Sequence, residues 1–194
     1  QSILQLNPNN LSVQDLVNSG RIDKMLGEIA QAEDQPSSLL KDHGPISSWM
    51  PDTIQTWKAR VVGKPLGERM AEALAVIKRA MHLALGKTPY PVQIISALML
   101  NFSGNGRLAE IATGQGKSLI VAAFAAIKAL EGHKVDIITS SSELAERDAH
   151  EISGFYRVLG FSCDHNTREN TSKDPSELQQ FIQNKKAIYQ KDIV

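Results

Sequence analysis

Cysteine is nearly absent. Cys163 stands alone, so no intramolecular disulfide can form, and a reducing, cytoplasmic setting is the simpler expectation. Net charge is absent as well: 21 basic residues balance 21 acidic ones. A nucleic-acid-binding domain usually carries a basic surplus, so the balance argues against such a partner while leaving room for a local patch. No apolar run approaches the roughly 20 residues that a membrane span needs; the longest, residues 118–130, is interrupted by Lys128. The first ten residues lack the basic and apolar regions of a secretory signal. The five histidines are scattered, and none shows metal-ligand spacing with Cys163. Ser140–Ser142 has no G-x-S-x-G elbow around it, so the triplet reads as a helix N-cap rather than a nucleophile.

What is present fits a packed globular chain. Hydrophobic residues make up 42% and charged residues 22% of 194 positions, enough for one ordinary domain with a small extension. The chain opens at Gln1 and stops in Asp192-Ile193-Val194, which reads as a segment of something longer. Residues 9–32 have helical periodicity, with Ser12 and Asp15 spaced like a capping box and Gly20 dividing the stretch. Pro36, Gly44 and Pro45 mark residues 33–48 as a linker. A short helix starting at Pro51 sits between Trp49 and Trp57, two aromatics that read as packing anchors. Residues 68–85 form a stronger helix, with Leu74, Ile77, Met81 and Leu85 on one side and Gly86 as its stop.

After a helix over 91–100 the pattern changes. Short strand-like runs at 107–112, 135–139, 161–163 and 187–189 alternate with helices over 117–130, 142–159 and 175–183. That alternation is the grammar of a parallel sheet covered by helices.

Between the first strand-like run and its helix lies Thr113-Gly114-Gln115-Gly116-Lys117-Ser118. Glycines at 114 and 116 let the backbone turn so that its N–H groups face phosphate oxygens. The following helix adds the positive end of its dipole. Lys117 then reaches the β- and γ-phosphates as a point charge, and the Ser118 hydroxyl ligates Mg²⁺. The usual G-x-x-x-x-G-K-[ST] pattern has Ile111 at its first glycine here. A lysine in a helix's first turn opposes the dipole, which makes an ordinary glycine cap the poorer explanation.

With these flanks in view, the sequence resembles the SecA family of ATP-driven preprotein translocase motors. "YPVQIISALML" (90–100), "LAEIATGQGKSL" (108–119), "GHKVDIITSSSELAERDA" (132–149), "FYRVLGF" (155–161) and "KKAIYQKDIV" (185–194) follow the family's motifs in order. The resemblance covers roughly residues 68–194. It implies an α/β fold: an incomplete P-loop NTPase, or RecA-like, lobe with a parallel sheet flanked by helices. Residues 1–67 would be a helical N-terminal extension and linker, and 68–194 the first part of the motor domain. The resemblance also implies that Gln93 reads the adenine edge, that Tyr90 packs near the ring, and that Thr113, Gly114, Gln115, Gly116, Lys117 and Ser118 hold ATP or ADP, with Mg at Ser118. Thr139 and residues 144–148 would couple nucleotide to movement of a polypeptide, and a C-terminal motor lobe of the same protein would complete the site.

Several positions depart from the family. Gln115 replaces a glutamate in T-G-E-G-K, Ser118 a threonine, Pro91 an aspartate, and Ser141-Ser142-Glu143 an Asn-Asp-Tyr run. Such changes resemble SecA-like ATPase regions inside larger proteins more than a housekeeping translocase. No D-E-x-D-like run occurs in the chain, and hydrolysis needs a carboxylate for Mg²⁺ or its water. The expectation is therefore binding without turnover by this chain alone. A non-hydrolysing nucleotide-binding or scaffold module is the alternative. A superfamily 2 helicase fragment ranks third, because Arg147-Asp148-Ala149 follows the SecA pattern better.

Overall fold

The computed structural model describes residues 20–101, 108–167 and 174–194. Seven α-helices are formed among them: α1 (Arg21–Glu33), α2 (Pro51–Val61), α3 (Met70–Leu85), α4 (Pro91–Asn101), α5 (Lys117–Leu130), α6 (Ser142–Val158) and α7 (Pro175–Ile188). Single 3₁₀ turns at Lys41–His43, Ile46–Ser48 and Gly67–Arg69 shape the connections. The capping box at Ser12 and Asp15 lies outside the described residues; α1 begins just after Gly20.

Helix α3 is the axis of the core. Ala73, Leu74, Val76, Ile77, Ala80 and Met81 are all fully buried, and the helix packs against α1 on one side and α6 on another. Trp49 and Trp57 are buried beside it. Each polar handle finds a partner, as a buried indole requires: Trp49 Nε1 donates to Gly44 O at 3.1 Å and Trp57 Nε1 to Glu72 Oε1 at 2.7 Å. The Ser37 hydroxyl also donates to that carboxylate, and Arg69 approaches its other oxygen at 3.4 Å. Glu72 thus ties the linker, α2 and α3 together through one group.

Helices α4 and α5 form a second packed pair. The body of α5 is alanine-rich and buried at Ala122, Ala123, Ala126, Ile127 and Leu130, so small side chains let neighbours approach closely. Its C-terminal end meets the lead-in, the segment that precedes residue 68. Gly63 N–H donates to Leu130 O at 2.9 Å, and a Cβ on Gly132 would stand 2.8 Å from Gly63 Cα. With φ at 89°, Gly132 is a position where only glycine meets both the backbone geometry and the space.

The parallel sheet flanked by helices, expected from the sequence, is not what forms. Among the described residues extended chain meets extended chain only at isolated bridges: Val135 with Ile193 and Cys163 with Ile193, both parallel, and Pro36 with Pro45, antiparallel. The reasons are local. At 108–112, the carbonyls of Ile111 and Ala112 accept hydrogen bonds from the Lys117 ammonium, and Ala112 O also takes the Gln115 N–H. Leu108 is 99% exposed. The run 187–189 is absorbed into the end of α7, which Asp174 caps by accepting from Ser176 N and Glu177 N. Around Ile193 the pairing is real but short: Val135 N–H to Asp192 O, Ile137 N–H to Val194 O and Ile193 N–H to Ser162 O. Ile138 remains 93% exposed. One bridge per neighbour does not make a ladder, and the layered expectation gives way to a helical stack with an extended seam at one side.

Candidate functional site

The segment from Thr113 to Gln115 is exposed and ends at Gly116, which caps α5. Gly116 has φ of 74°, Gly114 of 83°. No side chain caps α5, and the first amides of a helix have no intrahelical acceptor. Leu119 N–H and Ile120 N–H both turn back to Gly116 O, at 3.0 and 3.3 Å. The N–H groups of Gly116, Lys117 and Ser118 have no acceptor among the described residues. Three such donors at the positive end of a helix suit an anion.

Lys117 curls over its own loop. Its Nζ donates to Ile111 O at 2.8 Å and Ala112 O at 3.2 Å. The ammonium is therefore held at the loop's entrance rather than extended into solvent. Lys117 and Ser118 also form one wall of a cleft of about 640 Å³. Thr139, Ser141 and Asp148 stand on other walls, and Asp136 joins them. Sequence spacing gave no sign that these two carboxylates would share a cleft with the Ser118 hydroxyl. The Ser141 hydroxyl caps α6 by accepting from Leu144 N–H at 3.3 Å, as the serine triplet suggested.

Gln93 is 6% exposed and sits in the first turn of α4. Tyr90 N–H donates to its Oε1 at 2.9 Å, and its Nε2 donates to Gln115 O at 2.9 Å. Gly116 lies so close that a Cβ there would meet the Gln93 Nε2 at 2.3 Å. The Tyr90 side chain, by contrast, is 71% exposed. The structure thus brings Tyr90, Gln93, Gln115, Gly116 and Lys117 into one connected group and puts Ser118 beside them. Thr113 and Gly114 belong to the same turn. The link from Gln93 to Gln115 escaped sequence reading because it spans 22 residues, beyond any local pattern.

Elsewhere the electrostatics are mainly structural. Burial pushes the Cys163 thiol up to about 11, with the Asp164 charge adding to it. Burial also acts to raise Asp192, but the Ser162 hydroxyl and N–H, with Lys58 and Lys134, outweigh it and hold that carboxyl below the usual range. Arg147 is raised by its hydrogen bond and charge contact with Asp148, an exposed pair 2.7 Å apart. Among the described residues no three His, Cys, Asp or Glu side chains group as metal ligands, and no helix is long and apolar enough to cross a membrane.

The profile of the SecA DEAD-like domain matches residues 14–194. Protein translocase subunit SecA 2 of Streptococcus gordonii is 33% identical over 182 residues, 94% of this chain and 21% of that protein. The SecA 2 subunit of Streptococcus agalactiae is 37% identical over 142 residues, 73% of this chain and 17% of the relative. Protein translocase subunit SecA of Aliarcobacter butzleri is 37% identical over 99 residues, 51% of this chain and 11% of the relative. The chain spans about a fifth or less of the length of these relatives. A profile match along nearly the whole chain, with a relative a third identical across almost all of it, establishes that the chain belongs to the SecA DEAD-like domain family.

Proposed function

We propose that this chain is the nucleotide-binding part of a SecA-like motor ATPase, holding ATP or ADP with Mg on the turn from Thr113 to Ser118. The observation that carries the reading is the geometry around Gly116: three amides without acceptors at a helix start, with the Lys117 ammonium held by two carbonyls at 2.8 and 3.2 Å. Phosphate oxygens are stronger acceptors for an ammonium than neutral carbonyls, so Lys117 would turn to the β- and γ-phosphates. The Ser118 hydroxyl would hold Mg²⁺, which supplies charge neutralisation of the polyphosphate. Tyr90 is free to pack on the base, and Gln93 keeps one N–H and one lone pair for the adenine edge.

In the same proposal, Thr139 and residues 144–148 relay the state of the nucleotide to a polypeptide substrate. Residues 1–67 act as a helical extension, 68–194 begin the motor domain, and a C-terminal lobe of the same protein closes the site in the cytoplasm. Protein translocation is the named work of the relatives. Titration calorimetry with Mg–ATP and Mg–ADP tests the binding step. Saturable binding should weaken by at least tenfold in Lys117→Ala, with the thermal midpoint of the free protein unchanged; equal affinity in the variant would sink the reading.

A second reading, binding without turnover, is favoured by Gln115 in place of the family's glutamate. Single-turnover assays of the longest natural form of the protein separate the two, since only the motor reading expects phosphate release.

A further inference from the structure

We propose that Gln93 is a positioning residue for the phosphate loop: its amide sets the orientation of the peptide between Gln115 and Gly116, and so controls how firmly polyphosphate is held whatever base is attached. This inference rests on the phosphate-binding reading above and assigns Gln93 a task separate from reading a base.

The geometry is specific. The Gln93 side chain is almost wholly buried and is fixed at both ends, by Tyr90 N–H on Oε1 and by Gln115 O on Nε2, each at 2.9 Å. A trans peptide is planar, with its C=O and N–H pointing in opposite directions. Holding Gln115 O toward Gln93 therefore aims Gly116 N–H away from it. That N–H is one of the three donors left without an acceptor at the start of α5. The first contact makes the second reliable, since Tyr90 N–H stops the amide from flipping its donor and acceptor ends.

Gly116 supplies an independent observation. A Cβ there would stand 2.3 Å from Gln93 Nε2, so the amide occupies the space a side chain at 116 would need. The glycine thus serves two ends: the left-handed turn, with φ of 74°, and room for the Gln93 brace. A residue that only read a base would have no reason to lie against the loop's own backbone.

The test is titration of Mg–tripolyphosphate, Mg–ATP and Mg–GTP into the full chain and into Gln93→Ala and Gln93→Glu. Glutamate keeps the acceptor for Tyr90 N–H but as a carboxylate cannot donate to Gln115 O. Both variants should bind tripolyphosphate about five- to tenfold more weakly than wild type, the consequence of losing one ordering hydrogen bond. Tripolyphosphate affinity unchanged in both, with only the preference for ATP over GTP collapsing, overturns the proposal and leaves Gln93 as a base reader. Amide hydrogen exchange without any ligand gives the second readout. Exchange at Leu119 and Ile120, whose N–H groups turn back to Gly116 O, should quicken in both variants, and unchanged exchange there refutes the brace. A wild-type chain that binds no polyphosphate defeats the phosphate-loop reading itself, and the exchange data then still decide whether Gln93 orders the turn.

Discussion

Helices α3 and α7 are of similar length, 16 and 14 residues, yet they live at opposite extremes. α3 buries Leu74, Val76, Ile77 and Met81 completely, while α7 has no buried residue and shows Leu178 and Ile182 at its surface. The contrast extends to their surroundings. Around α3 lie two buried tryptophans and a carboxylate with its partners in place; around α7 and the extended seam at Ile193, contacts are few and pairing is by single bridges. The lesson is that stability and candidate chemistry are segregated. The core sits around α3 and the body of α5, while residues 113–115, proposed for a ligand, form an exposed turn that opens at lower free-energy cost.

The comparison breaks most visibly at Trp57. Replacing it by alanine should cost about 3–5 kcal/mol and lower the calorimetric midpoint by roughly 10 °C for a chain of this size. Leu178→Ala on α7 should cost about 0.5 kcal/mol or less. Similar losses in the two variants would erase the distinction between the regions.

A smaller effect is expected at the junction. Gly132→Ala places a methyl against Gly63 Cα in a left-handed conformation, a combination worth about 2 kcal/mol. Urea denaturation should show the lowered midpoint. A shift near zero would mean that the lead-in and α5 are not held by that contact.

The smallest effect sharpens the picture at the seam. The Asp192 carboxyl accepts from Ser162 N–H and hydroxyl at 2.8 and 2.7 Å and is held below its ordinary range. A depressed folded-state value contributes stability above the unfolded value, near 3.9 for aspartate, and that contribution disappears as pH falls through the folded value. Asp192→Asn should therefore flatten the fall of the urea midpoint between about pH 5 and pH 2. Identical acid profiles for variant and wild type would show that the seam has no share in acid stability.

The helices were legible because their signals are local. Pro51 and Pro91 open α2 and α4, Gly86 stops α3, Ser141 caps α6, and the apolar spacing of residues 74, 77 and 81 marks the buried face of α3. The glycine turn ahead of α5 was legible for the same reason, as a run of consecutive residues. Sheet formation was not, because it depends on which distant segment supplies each partner. The run 107–112 has the composition of a strand, but the carbonyls of Ile111 and Ala112 go to Lys117 instead. The run 187–189 lost to the continuing helix of α7. Gln93 was singled out through family resemblance, while its hold on Gln115 came only from the fold.

The burial of Trp49 and Trp57 has an optical consequence. They are the chain's two tryptophans, so intrinsic fluorescence is a signal from the lead-in core alone. Emission will follow the melting of that core and carry no direct report from residues 113–118. Tyr90→Trp would add an emitter at an exposed position, joined through its backbone to Gln93. Its solvent-shifted band would stand apart from the two buried indoles, giving one protein with separate spectral channels for its frame and for the surroundings of the turn ahead of α5.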